Sequence, residues 1–314
     1  MPTDAIESKS NFHEVACQSC GASLLVDSHT LSTICPYCAS SSIIERPPSQ
    51  DLPRPAFAIG FVLDHQRATD LVLQWIRKSH VLARSDFKRA APQLIKGIYL
   101  PAYLYGAVAD SDYSASIGEN YTEVETYTTT DANGRIVTRT RTVTKTEWRP
   151  LAGRHCCYVV DVVVTASRGV SNMALEAIEP FDLRSLRRFS PSLITGWLAE
   201  LPSLSQDECF QMARGETIRN VGVMLKSFMP GDSHQNLRYD TRLSREVIDL
   251  VLFPVWSFAV RYDHSKAPIQ ILVNGQTGRV TGSVPISTAK ISLLVASILL
   301  LIALFVLLVL LANR

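Results

Sequence analysis

Neither sign of charge dominates this chain. Its 314 residues carry 31 lysines and arginines against 29 acidic residues, a formal net charge of +2. That balance argues against a protein that binds polyanions over its whole surface. The motifs of common enzymes are missing too. There is no GxxxxGK[ST] loop to cradle nucleotide phosphates and no GxSxG nucleophile elbow, and the seven histidines are dispersed without paired spacing. His13-Glu14 begins like the zinc-protease HExxH, but the second histidine is absent. Asp207-Glu208-Cys209-Phe210 resembles a helicase acidic box, yet it falls at a helix start, where carboxylates favour the helix dipole. Asn274-Gly275-Gln276-Thr277-Gly278 is too short for a dinucleotide loop and reads as a tight turn between strands. These absences point to a protein that is not an enzyme. The first fourteen residues have no apolar core, so they do not read as a signal peptide.

One long apolar run is present. From Ile291 to Ala312 the chain carries no charge. As a helix, 22 residues span about 33 Å, close to the roughly 30 Å hydrocarbon core of a bilayer. The expectation is a single C-terminal transmembrane helix that inserts after the body is made, leaving the body facing the cytoplasm. Lys290 and Arg314 flank the run with one charge each, so the positive-inside rule is nearly silent. No ionisable residue interrupts it, which suits a tether rather than a transport path. Only Asn313 and Arg314 follow it, so recognition is expected from the body.

Four of the seven cysteines form one pattern: Cys17-x2-Cys20, fourteen residues, then Cys35-x2-Cys38. Two CxxC pairs at this separation place two thiolates on each of two tight turns, which close a tetrahedral zinc site. Gly21 and Pro36 are turn residues of such knuckles, and Ala39 stands where a glycine is usual. Two disulfides are the alternative. The missing signal peptide implies a reducing compartment and favours zinc. Four thiolates leave no position open on the metal, so the ion is expected to be structural. Cys156 and Cys157 are adjacent in a strand-like run and point to opposite faces; with Cys209 they read as small apolar residues.

The expected fold class is α+β. Residues 1–45 form a zinc ribbon, 46–55 a stiff proline-rich linker, 56–286 a mostly antiparallel β-rich body, and 287–314 the juxtamembrane segment and transmembrane helix. Two or three amphipathic helices are expected. Asp64 caps one, with Ala68, Leu71, Val72, Trp75 and Ile76 on its apolar face, where Trp75 reads as core. Ser205 caps another, with Phe210, Ala213, Thr217, Val221, Met224 and Phe228 facing inward. Strands are expected at 98–106, at 158–165 as a buried run, and at 252–258, 269–273 and 279–282. Pro101 suggests an edge or a bulge. Arg184, Arg187 and Arg188 read as a solvated basic face. Residues 121–148 alternate polar residues around Asp131-Ala132-Asn133-Gly134, a long hairpin. A two-residue loop sets Val124 opposite Val143; a three-residue loop sets Glu125 opposite Arg141. The arm reads as a solvated hairpin laced by cross-strand ion pairs, with a protruding arm for a partner strand as the alternative.

These ordered motifs resemble a bacterial family of membrane-anchored zinc-ribbon proteins. Its members carry the label "transcription factor IIB-type zinc ribbon-containing protein" or "primosomal helicase-like". The resemblance rests on Cys17, Cys20, Cys35 and Cys38, the helix with Trp75, Gly97-Ile98-Tyr99-Leu100-Pro101-Ala102-Tyr103, and Gly153 after Trp148. Pro254-Val255-Trp256 and the turn from Asn274 to Gly278, with Gly282 before Pro285, complete it. It covers nearly the whole chain. It implies a non-enzymatic membrane partner for phage-shock-protein-A-like or virion-core-like neighbours. The helicase label is set aside, because every helicase motor motif is absent. The expected function is an adaptor that recruits a cytoplasmic protein to the membrane, bound to the bilayer through Ile291–Ala312 and taking no small-molecule substrate. The alternative is a membrane-tethered nucleic-acid-binding protein using the basic arm Arg135 to Lys145.

Overall fold

The computed structural model describes residues 12–27, 34–41, 43–46, 53–130, 134–263 and 265–312. Most of the expected linker and residues 131–133 of the expected hairpin turn lie outside these. In chain order the elements are β1 (Phe12–Cys17), β2 (Ser23–Asp27), β3 (Ile43–Arg46), β4 (Phe57–Ala58), α1 (His65–Arg77), β5 (Pro92–Thr130) and β6 (Ile136–Thr165). After them come α2 (Asn172–Ile178), β7 (Arg187–Arg188), β8 (Leu198–Leu201), α3 (Gln206–Phe228), β9 (Ser233–Val260), β10 (Ile269–Asn274), β11 (Val280–Gly282) and α4 (Thr288–Ala312). The mixed, strand-rich architecture matches the α+β expectation. The chain divides into two compact units. One holds residues 1–103, 163–209 and 249–314; the other holds 104–162 and 210–248.

In the first unit the strand order is β11-β10-β9-β5-β8-β2-β1-β3. The short strands pair antiparallel, except β4 along β9 and β8 along β5, which are parallel. Pro101 lies in β5 just beyond the residues that pair with β8. Ile98 and Tyr99 pair with β8, whereas the Pro101 carbonyl accepts the Ala166 amide just past the end of β6. Its missing N–H falls near the point where the neighbouring strand changes, a place that tolerates a residue without a donor. Pro254 sits the same way on β9, just beyond the last β4 pair, Ala58 with Leu252.

Helix α1 begins where Asp64 accepts the Arg67 amide at 2.7 Å. Its buried face, Ala68, Val72 and Ile76, packs with Phe87, Trp256, Phe258, Val260, Ile271 and Val273; Trp75 joins that cluster from its margin. Such a face stabilises by roughly 1.5–3 kcal/mol for each fully buried large apolar side chain. The turn Asn274–Gly278 joins β10 to β11. Asn274 is fully buried and bonded at both ends of its amide: Nδ2 donates to the carbonyls of Ile178 and Pro180, and Oδ1 accepts the amides of Gln276 and Thr277. A Cβ on Gly275 would lie 2.7 Å from the Phe61 ring and 2.8 Å from the Pro254 carbonyl. This turn is a structural bracket, in keeping with the hairpin expectation.

In the second unit β5 lies between β6 and β9. Alternate β5 residues Tyr105, Ala107, Ala109, Ser111, Ala115 and Ile117 are buried, the period of a strand covered on one face. The inward face of α3 in this unit is Ala213, Thr217, Val221 and Leu225. Ala213, Thr217 and Val221 belong to the expected stripe, whereas Met224 and Phe228 at its C-terminal end are exposed, and Phe228 packs its ring on Tyr113 and His155. Apolar character alone does not say which end of a stripe is covered. The 158–165 run is likewise not buried throughout. Tyr158 (75 % exposed) and Val160 alternate with buried Val159, and burial becomes continuous only from Val162. The polar arm carries the ion pairs Arg141–Glu125 at 3.0 Å and Lys145 with Glu123 and Glu125 at 2.7 and 3.0 Å. Long side chains make such contacts either directly opposite or diagonally, so they fit a connection of two or of three residues. These pairs are exposed and screened by solvent, so they carry little energetic weight. Helix α4 is long and apolar enough to cross a membrane, and none of it is buried.

Replacing Asn274 by alanine strands two carbonyls and two turn amides. Denaturant titration of the detergent-solubilised chain should show a loss of about 2–4 kcal/mol, while the exposed Glu125→Ala should leave the midpoint close to that of the wild type.

Candidate metal centre

Strands β1 and β2 form a hairpin and β3 pairs on the other side of β1. The β1–β2 connection and the turn before β3 carry the four cysteines. The two turns are built alike. The Cys17 amide donates to the Ala22 carbonyl and its own carbonyl accepts the Gly21 amide, both at 2.9 Å; Cys35 repeats this with Ser40 and Ala39 at the same distances. Each turn therefore needs a left-handed residue at the same place, Gly21 at φ +79° and Ala39 at φ +56°. The departure from glycine noted in the sequence thus falls on the one position of the second turn where glycine is favoured.

All four sulfurs lie within 4.8 Å of one another. Cys17 and Cys38 are 3.5 Å apart, as are Cys20 and Cys35. This is far longer than a disulfide bond of about 2.05 Å and close to the roughly 3.8 Å edge of a tetrahedron built on 2.3 Å metal–sulfur bonds. The cluster can hold a metal ion. Four thiols this close cannot all ionise unless a cation balances them. Cys35 ionises first, at about 5, because the Cys20 thiol donates to it and the Cys38 and Tyr37 amides add to that. Cys20 is pushed well up as donor to Cys35, and burial pushes Cys38 up to about 11.

A resemblance to one curated protein covers most of the chain. Over 240 residues it is 26 % identical to "Uncharacterized protein YdjG" of Bacillus subtilis (strain 168), 76 % of this chain and 66 % of that protein. The chain therefore spans just under two thirds of that relative's length. No protein-family model and no solved structure matches it.

The cysteine turns do not stand apart as a knob on a spacer. Strand β2 pairs with β8, Ser23 opposite Leu201 and Leu25 opposite Ala199, so the cysteine-bearing strands continue the sheet of the first unit. Pro36, between the third and fourth cysteines in sequence, accepts the buried Ser257 hydroxyl at 2.8 Å. Its neighbour Tyr37 is buried, and its hydroxyl donates to Glu200 Oε2 at 2.5 Å; the Ser167 hydroxyl donates to Glu200 Oε1 at 2.5 Å. Glu200 is only 1 % exposed. Burial pushes its carboxyl up to about 8, although the Ser167 and Tyr37 hydroxyls pull it down. Burial, followed by the Glu200 charge, raises the Tyr37 phenol well above its usual range. Sequence reasoning passed over Tyr37, Ser167 and Glu200. The available signal was a lone carboxylate in the apolar strand Leu198-Ala199-Glu200-Leu201.

The other flagged residues serve structural ends. Glu208 accepts the Ser205 amide at 2.8 Å while Ser205 Oγ accepts the Glu208 amide at 3.2 Å, a capping box rather than a helicase motif. Cys209 is buried and donates to the Thr165 carbonyl, Cys156 is exposed, and Cys157 is half-buried. Arg187 and Arg188 form the exposed β7.

Ala39→Gly should stabilise the chain by about 0.5–1 kcal/mol in thermal unfolding, since the left-handed alanine costs about 1–2 kcal/mol and glycine returns part of that as unfolded-chain entropy. Glu200 sets a pH dependence. Its folded value lies above its unfolded one, so the folded state holds the extra proton and stability falls as pH rises from about 4.5 to about 8. Urea titrations at fixed metal should show wild type losing on the order of 4 kcal/mol across that range relative to Glu200→Gln. Parallel pH profiles for the two proteins would contradict this.

Proposed function

We propose that Cys17, Cys20, Cys35 and Cys38 hold one structural zinc ion, and that the chain is a membrane-anchored adaptor that recruits a cytoplasmic protein partner without chemistry of its own. The observation that carries this is the all-cysteine cluster on two matching turns, with every sulfur within 4.8 Å of the others. An all-thiolate set selects soft or borderline ions over magnesium and calcium, and a closed tetrahedron leaves no site for water or substrate. Such an ion supplies folding free energy of about 10 kcal/mol to turns too small to hold a core. Helix α4 supports the anchor, and seven unbridged thiols suit the reducing side of the membrane.

The Tyr37 side chain is buried against Glu200, which supports a partner surface elsewhere. Recognition falls to the exposed parts of the body. The alternative, nucleic-acid binding through the basic arm, is disfavoured because Arg141 and Lys145 are already matched by Glu123 and Glu125.

The full chain taken from membranes in mild detergent should contain one zinc per chain by elemental analysis and bring down a stoichiometric protein partner. Cys35→Ser with Cys38→Ser should lose both. Native stability with no bound zinc ends the metal assignment. The adaptor reading fails if cross-linked membranes yield no partner, and salt-sensitive DNA or RNA binding tighter than about millimolar turns the case to the alternative.

A further inference from the structure

Helix α4 does not leave the first unit on a free tether. The segment before it is bound to the loop after α1 by a ladder of contacts. The Arg84 amide donates to the Pro285 carbonyl at 2.9 Å, the Ser287 amide to the Leu82 carbonyl at 2.9 Å, and Ala83 forms a bridge with Ile286. Within α4, Lys290 sends its ammonium back to the same loop, donating to the carbonyls of Ala83 at 2.7 Å and Val81 at 3.2 Å. Lys290 is the only charged residue of the helix from Thr288 to Ala312.

These contacts fix the loop's depth relative to the helix. The 25 residues of α4 extend about 37 Å, some 7 Å more than the roughly 30 Å of hydrocarbon. The surplus lies at the ends, and an ammonium settles at headgroup level rather than in the hydrocarbon. Lys290 therefore marks the interface, and Val81 is bonded to it through its own carbonyl. Yet the Val81 side chain is 82 % exposed, and Ile286, beside the bridge partner Ala83, is exposed as well. Both apolar side chains sit where an aqueous surface would leave them uncovered and a bilayer boundary would not.

We infer that the loop 80–84 is a foot on the bilayer: Val81, flanked by Ile286, inserts at the boundary between headgroups and acyl chains of the membrane that α4 spans. This rests on the membrane-anchor reading above. The occupant is the phospholipid bilayer itself, because the surface is continuous with the helix entering it. The foot holds the first unit against the membrane, and the Lys290 bonds make helix and loop one piece. Burying the valine adds to the anchoring, as for interfacial apolar side chains generally.

The test uses the full chain in phosphatidylcholine nanodiscs, with an environment-sensitive fluorescent amino acid placed in turn at positions 81, 173 and 300. Met173 and Leu300 are comparably exposed in the protein, at 78 % and 71 %. Spin-labelled lipids carry the quencher near the headgroup or deep in the acyl chain. The dye at 81 should be blue-shifted and quenched several-fold more by the shallow label than the dye at 173, while the dye at 300 answers to the deep label. If 81 behaves like 173 while 300 is quenched, the foot is wrong and the anchor stands. Without quenching at 300 the anchor itself fails, and the foot with it.

Discussion

Glu200 is a carboxyl group with almost no access to water, and both of its oxygens are bonded, one to Tyr37 and one to Ser167. A buried polar group left unbonded would cost more than a hydrogen bond contributes, so these partners are obligatory for one another. The tyrosine lies between two of the four cysteines in sequence, and the glutamate lies on the short strand that joins β2 to β5. The cysteine cluster and the main sheet of the first unit are thereby parts of one hydrogen-bonded assembly. A zinc ion there would stabilise more than its own turns, because those turns supply the strand that β8 pairs with.

The same unit shows how the chain manages polar backbone where strands change partners. Pro101 and Pro254 stand near points where a neighbouring strand stops, places that tolerate a residue without a donor. Asn274 performs the complementary task by bonding the carbonyls left open near α2. In the second unit β5 buries alternate residues, and the polar arm carries exposed ion pairs of little energetic weight.

What was legible in the sequence was local. Asp64 and Ser205 were readable as caps because capping involves residues within one turn of each other. The cysteine turns were readable from a spacing of two residues and the small residues around it. The Asn274–Gly278 hairpin followed from its own glycines. The α3 stripe was legible at Ala213, Thr217 and Val221 but not at Met224 and Phe228, because what covers the end of a helix is not written in its own periodicity. The 158–165 strand was read as wholly buried because an apolar run does not reveal that one of its faces is left open.

By itself the sequence determined a thiol cluster able to take a metal, a helix able to cross a bilayer, the capped helices, and a long polar arm. Each depends on neighbours a few residues apart. Only the tertiary structure decided that the cysteine turns join the sheet through β2 and Tyr37, that Glu200 is the carboxyl they lean on, and that α4 is pinned to the loop at Val81 and Ala83. Tyr37 and Glu200 are 163 positions apart, and Lys290 and Ala83 are 207 apart. Such contacts form only when burial forces distant polar groups to satisfy one another, and no short-range pattern encodes that demand.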